Sequence, residues 1–414
     1  MFESFSIIFA IAALLSFINY KWLKLPNTIG QMLMALVISL VFLALRPIVP
    51  EVFGYFLKLL QDADFSHILL DVMLGFLLFA GALHVDINEL NKERTSVLIF
   101  ATIGVLISTF IVGAGLFLLS SLLNCELPFI HCLLFGALIS PTDPIAVLAL
   151  LKSANVNTSL QLKIEGESLF NDGIGVIVFT AILLIAQADG TTTAAIPLWQ
   201  EILLLFFEEV VLGLGLGLIL GFIGFRLMKS AEEEPFLATI LSLAVVFGGY
   251  SLANVLHTSG PLAMVVAGLY VGNHIKKASF NAATNKSISG FWHILDESLN
   301  GVLFVFLGLA IHLVQLDSTL FLLAIVTIVL VLIARFISVT LPYSLLKHRE
   351  HSWLKTTYVL TWGGLRGGIS LALAFSLATE LSKETILFLT YSTVIFSIIV
   401  QGLSIPKLTK KLYQ

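Results

Sequence analysis

Ser140-Pro141-Thr142-Asp143-Pro144 interrupts one apolar run of this chain, and Gly166-Glu167-Ser168-Leu169-Phe170-Asn171-Asp172-Gly173 interrupts the next. A carboxylate inside a membrane-length segment is costly to bury, so it is retained chiefly where it carries ions or protons. Prolines on both sides of Thr142-Asp143 break the helix there and free backbone groups that can bind an ion. These two strings imply an integral membrane protein that moves ions.

Working outward, apolar residues make up 58% of the 414 residues and charged residues 12%, where a soluble domain carries about 25% charge. Thirteen apolar segments follow one another: 4–20, 28–45, 67–84, 96–122, 130–151, 163–188, 200–228, 236–255, 261–275, 288–313, 319–345, 355–379 and 386–408. Most approach the about 20 residues that a membrane helix needs. The expected fold class is therefore an all-α polytopic membrane protein with 13 transmembrane helices in a single domain over residues 1–414. The first segment lacks the basic start and small-residue cleavage site of a signal peptide and is read as a helix. No long hydrophilic stretch is left for a nucleotide-binding or soluble regulatory domain. The net charge of −4 gives no sign of a nucleic-acid partner, and no cofactor is expected. Cys125 and Cys132 have no Cys or His at metal-ligand spacing and read as packing residues.

Of 22 Lys and Arg, 17 fall in alternate loops and the C-terminal tail, Lys163 among them, and only Arg46, Lys58 and Lys383 in the opposite set. Arg335 and Arg366 lie inside segments. By the positive-inside rule the C-terminus is cytoplasmic and, with an odd number of helices, the N-terminus is outside.

The chain reads as two-fold. The fifth segment breaks at Pro141-Thr142-Asp143-Pro144 and the twelfth at Trp362-Gly363-Gly364-Leu365-Arg366-Gly367-Gly368. Corresponding breaks in two halves point to two inverted six-helix repeats with crossed broken helices and a mid-membrane site. Repeat one spans about 1–190, a linking helix about 200–228 inverts the second, and repeat two spans about 236–410. Asp143 is a good N-cap and Pro144 a good first helical residue, so a half-helix is expected to restart there. Facing helix ends need charge compensation, for which Asp143 and Arg366 are placed.

Ser168 and Asp172 share one face of a helix, Glu167 and Asn171 the adjacent one. The Ser168 hydroxyl, the Asp172 carboxylate and the backbone carbonyl of Thr142 are hard oxygen donors suited to an alkali cation such as Na+. An arginine keeps its proton and must be paired within a membrane, which suggests Glu167 with Arg335 as a structural ion pair and Asp143 with Arg366 as electrostatic partners; Asp143 is also counted with Asp172, Ser168 and Thr142 in the expected ion- and proton-binding set. Asn171 cannot titrate, so one proton against one monovalent cation is expected. Elsewhere, Asp71 reads as interfacial, Glu208 and Glu209 have no assigned role, and His131 reads as a packed or interfacial residue. Asp296, Glu297 and Asn300 would either line a cytoplasmic funnel or cap a short break before Gly301.

At these residues the chain resembles the sodium/proton exchangers of the first monovalent cation–proton antiporter family. The matching strings are Ser140 to Pro144, Gly166 to Asp172, Ser259-Gly260-Pro261-Leu262-Ala263, Leu332-Ile333-Ala334-Arg335 and Trp362 to Gly367, in that order. The resemblance implies a 13-helix fold with inverted repeats, and a homodimer in which a dimerisation domain holds a mobile core. It implies Asp172 as the ion- and proton-binding carboxylate, Ser168 and Thr142 as further ligands, and Glu167 with Arg335 as an ion bridge. Ala80 departs from the pattern, since some members place a glutamate there that helps hold the ion.

The expected activity is electroneutral exchange of Na+ (and Li+) for H+ by alternating access at Asp172, in a bacterial inner membrane, with roles in salt tolerance and pH homeostasis. Potassium/proton exchange is the alternative within transporters. A cation channel would want rings of ligands from several subunits. An intramembrane aspartyl protease would want a Gly-x-Gly-Asp string that Asp172 lacks, so no enzyme is expected.

Overall fold

The computed structural model describes residues 2–48, 50–62, 65–144, 147–148, 158–187, 198–278, 280–314, 320–345 and 353–413. Among these residues the chain is helical with no strand, apart from a single isolated backbone bridge. Nine of the described helices are long and apolar enough to cross a membrane, and Ile68–His84 and Phe129–Ile139 are shorter apolar helices. The described parts of the apolar segments are helical apart from breaks and helix ends, while residues 145–146, 149–151, 188 and 319 of those segments lie outside the described residues.

The helices run past the apolar segments wherever a polar first turn can continue them. The fourth segment extends back to Ile87, capped by Asp86, whose carboxylate accepts from the backbone N–H of Asn88 (2.8 Å) and Glu89 (3.4 Å). Hydropathy alone misses this extension because Asn88 to Arg94 is polar, while the cap and the helical register carry the chain outward. A helix that no apolar segment announced, Pro50–Asp62, carries Glu51, Lys58, Gln61 and Asp62. Lys163, counted with the loops, instead lies in the helix Thr158–Gln187, 2% exposed, with its Nζ 3.5 Å from Glu93.

Large apolar side chains lie on the surface, and a small set of charged and polar residues is buried inside. Leu122 is 77% exposed and Phe236 75%, whereas Glu167 is 1%, Arg366 2% and Asn171 0%. A chain solvated by lipid inverts the usual distribution in this way, because every buried polar group must be satisfied within the protein.

Two groups of helices can be traced by packing. Gly260–Lys277 packs on Leu74–His84 and Gly213–Ser230, and Ala282–Leu309 on Asn27–Leu45, Phe2–Ile18 and Pro235–Val255. In the second group Phe129–Ile139 packs on Val105–Leu122 and Thr158–Gln187, and Phe321–Leu345 on Val105–Leu122, Trp353–Trp362 and Lys383–Phe396. Gly136 lets the first broken helix lie directly on its neighbour, since a Cβ there would collide with the Thr109 carbonyl.

The two breaks cross. The helix Phe129–Ile139 gives way at Ser140 to extended chain through Thr142 and Asp143, and Trp353–Trp362 gives way before Gly368–Ser376. Asp143 and Leu365 form an antiparallel bridge in which Asp143 N–H donates to the Leu365 carbonyl at 2.8 Å. Leu148 N–H donates to the Pro144 carbonyl at 2.7 Å, a first-turn helical bond. The rest of the half-helix expected after Pro144, at residues 145–146 and 149–151, lies outside the described residues.

Candidate functional site

The crossing is held by the charged residue of each break acting on the other. The Arg366 guanidinium donates to the Ser140 and Pro141 carbonyls at 2.5 and 2.9 Å, at the carbonyl end of Phe129–Ile139. Cations stabilise that end of a helix dipole. Asp143 stands at the opposite pole, its carboxylate against Gly367, the residue that caps Gly368–Ser376. Only a glycine permits that approach, because a Cβ at 367 would overlap the Asp143 carboxylate. The expected partnership of Asp143 and Arg366 thus takes the form of two helix-end contacts. A π-type turn at Ser397–Gly402 completes the second break: Ser397 Oγ accepts from Arg366 N–H at 2.9 Å, and the Gln401 amide donates to the Trp362 carbonyl at 3.0 Å.

Glu167 and Arg335 meet in a two-pronged pair, NH1 to Oε1 at 2.5 Å and NH2 to Oε2 at 3.0 Å, with NH2 also donating to the Leu360 carbonyl at 3.3 Å. Planar guanidinium and carboxylate match one another in this geometry. Next to Glu167, Ser168 Oγ donates to the Thr142 carbonyl at 2.5 Å, and one turn on Asn171 Nδ2 donates to Thr142 Oγ1 at 2.9 Å. Helix Thr158–Gln187 therefore grips the first break through both oxygens of Thr142.

Asp172 differs from all of these. Among the described residues it accepts no hydrogen bond and forms no ion pair, and it lines a cavity of about 500 Å³. Thr142, Asp143, Ser168 and Gly367 line the same cavity from the side of the crossing. Leu74 to Val85 and His293 to Leu303 contribute the facing wall, including Gly81, Asp296, Glu297 and Asn300. Ala80 is 1% exposed and does not reach the cavity, whereas its neighbour Gly81 does. The helix Ala282–Leu309 is unbroken, so Asp296, Glu297 and Asn300 are wall residues and cap no break before Gly301.

Sequence reasoning missed Glu165 and His293 on the cavity wall, and Ser397 and Gln401 at the second break. A buried glutamine in an apolar segment was a visible signal for Gln401, since its amide must find partners within the protein. Nothing in the sequence marked Ser397. His131 meets Ser382 Oγ at 2.9 Å, away from the cavity.

The arrangement can hold a small hard cation: a carboxylate with no partner among the described residues, a hydroxyl, and a carbonyl freed by a helix break, all at one cavity. Comparison with known proteins places the whole chain. The family model described as "Sodium/hydrogen exchanger, transmembrane" matches residues 7–411. The Na(+)/H(+) antiporter NhaP of Pseudomonas aeruginosa is 40% identical over 98% of this chain and 95% of its own length. The Na(+)/H(+) antiporter NhaH of Halobacillus aidingensis is 32% identical over 95% of this chain and 93% of its own. The solved structure of the sodium proton antiporter MjNhaP1 from Methanocaldococcus jannaschii superposes with a TM-score of 0.75 at 23% identity, over 100% of this chain and 99% of that one. The chain belongs to the sodium/hydrogen exchanger family, the first family of monovalent cation–proton antiporters.

Proposed function

We propose that this protein exchanges Na+, and also Li+, for H+ one for one, with both ions competing for Asp172. The observation that carries the reading is the Asp172 carboxylate, without a partner among the described residues and lining the cavity beside the crossing of the two breaks. Its relatives are named as Na+/H+ antiporters, which favours sodium over potassium.

A carboxylate at the end of a cavity in an apolar protein is stabilised by neutralisation, and either a cation or a proton supplies it. The two loads exclude each other because they occupy the same oxygens. Ser168 Oγ and the Thr142 carbonyl stand beside it as hard ligands. Ser168 spends its proton on Thr142 and keeps hydroxyl lone pairs for a cation. Asn171 holds Thr142 in place and cannot add a second proton, and Arg335 is committed to Glu167. One charge therefore travels each way, and exchange is electroneutral.

Asp143, Arg366, Glu167 and Arg335 are scaffold in this reading: they keep two broken helices crossed without entering the ion's coordination. Alternating access is a movement of the group that carries Asp172 against the wall formed by Leu74–His84 and Ala282–Leu309. Thirteen membrane crossings in two inverted repeats, about 1–190 and 236–410 joined by about 200–228, would give that movement its two-fold basis. The basic loops put the C-terminus in the cytoplasm and the N-terminus outside. The cavity wall includes His84, Val85 and Glu165, near helix ends that adjoin those loops, so it opens inward. A homodimer in a bacterial inner membrane is the expected assembly.

The test is proton movement in proteoliposomes after addition of Na+, Li+ or K+, with Asp172→Asn alongside. Na+ and Li+ should move protons, and Asp172→Asn should fall to the protein-free background. Acidifying the medium should raise the Na+ concentration for half-maximal rate without lowering the maximum. A mutant that still exchanges removes Asp172 from the mechanism, a K+ response equal to Na+ removes the substrate assignment, and a rate that follows membrane voltage removes electroneutrality.

A further inference from the structure

The cavity has two walls, and the exchange reading uses only the one that carries Asp172. On the other, the helix Ala282–Leu309 presents Asp296, Glu297 and Asn300. Asn300 Nδ2 donates to Asp296 Oδ1 at 3.0 Å, which fixes the amide's orientation. Its other end, Oδ1, is buried and has no partner, in a residue only 2% exposed. A buried amide oxygen left without a donor is uncommon and calls for an occupant. Glu297 is also held: Asn27 Nδ2 donates to its Oε2 at 3.3 Å, and Ser16 Oγ donates to Asn27 Oδ1 at 2.9 Å. Asn27 is thereby fixed with its donor towards Glu297. The wall thus combines two carboxylates with an oriented carbonyl-type oxygen and His293 one turn before Asp296, and among the described residues no Lys or Arg lines this cavity.

Carboxylate and amide oxygens are the donor set of a hard monovalent cation that keeps part of its water. We infer that Asp296 and Asn300, with Glu297 beside them, form a second alkali-cation site on the stationary wall, where Na+ waits before transfer to Asp172. The inference rests on the exchange reading above. It adds that the ion is handed from one wall to the other, and that loading from the cytoplasm takes two steps. A wall site of two carboxylates and one neutral oxygen raises the local concentration of the ion without competing for the proton that Asp172 exchanges.

Purified protein equilibrated with radiolabelled Na+ separates the two sites. Asp172→Asn should keep a weaker bound sodium, and adding Asn300→Ala to it should weaken that remainder about tenfold, the scale of one lost ligand to a charged group. In proteoliposomes Asn300→Ala alone should raise the half-saturating Na+ concentration by a similar factor and change the maximal rate much less. Asn300→Asp loses the amide donor to Asp296 but keeps oxygen where the cation sits. It should therefore restore or tighten half-saturation, whereas a structural clip would fail in both variants alike. No sodium on Asp172→Asn, an unchanged half-saturation in Asn300→Ala, or equal damage in both Asn300 variants overturns the inference. Exchange persisting in Asp172→Asn is the distinct signature that the reading of Asp172 itself has failed.

Discussion

Glu167 and Asp172 are carboxylates on one helix, separated by little more than a turn, and they have opposite surroundings. Glu167 is 1% exposed with both oxygens taken by Arg335. Asp172 has neither a hydrogen bond nor an ion pair among the described residues and looks into a cavity. The difference teaches that burial alone does not mark a transport residue. A fully paired carboxylate is part of the frame, because removing its charge would strand the partner. A carboxylate with space in place of a partner can take a load and give it up.

The contrast can be broken most sharply through stability. Arg335→Ala should cost about 3–5 kcal/mol, since it leaves Glu167 buried and unpaired, whereas Asp172→Asn should leave the thermal transition in detergent unchanged or raise it. Replacing both Glu167 and Arg335 by leucine should recover much of the loss. Should Arg335→Ala melt like the parent, the frame assignment for the pair is wrong.

Ser168→Ala sharpens the comparison on the loading side. It removes the bond to the Thr142 carbonyl and the hydroxyl proposed as a ligand, and half-saturating Na+ should rise about tenfold, equivalent to roughly 1.4 kcal/mol. An unchanged half-saturation would take Ser168 out of the ion's coordination and leave it as a strut between helix and break.

The smallest effect concerns a carboxylate outside the membrane. Asp86 caps its helix, and the bond from the Asn88 N–H, joined by the Glu89 N–H and nearby Lys276, holds its carboxyl below the usual range against a partial opposing effect of burial. Its folded pKa is therefore lower than its unfolded one. The cap contributes above the unfolded value and is lost as pH falls through the folded one. Asp86→Ala should cost about 1 kcal/mol at neutral pH, with the gap between mutant and parent closing in acid. A gap that persists in acid would show that the side chain acts by packing.

How far the chain was legible follows from the same chemistry. Pro141 and Pro144 announce a break because proline cannot continue a helix, and Gly363, Gly364, Gly367 and Gly368 announce its counterpart. Glu167, Asp172, Arg335 and Arg366 stand out because charge is rare in apolar segments. What stayed hidden depends on three-dimensional register. Ser397, 31 residues on from Arg366, meets its backbone N–H only through the packing of a later helix against the second break. Lys163 looked like a loop cation until the polar turn Thr158–Gln161 proved helical. Asp296, Glu297 and Asn300 could be wall or cap on sequence grounds, and continuity of the helix through Gly301 decides for the wall.

The bridge from Asp143 N–H to the Leu365 carbonyl has a consequence for how such a site can diverge. It is made by peptide groups, so no side-chain replacement short of proline at 143 can delete it. Cavity-facing residues that do not themselves hold the crossing can then change while the joint beneath them persists. Selectivity becomes an evolvable coat over an inherited joint.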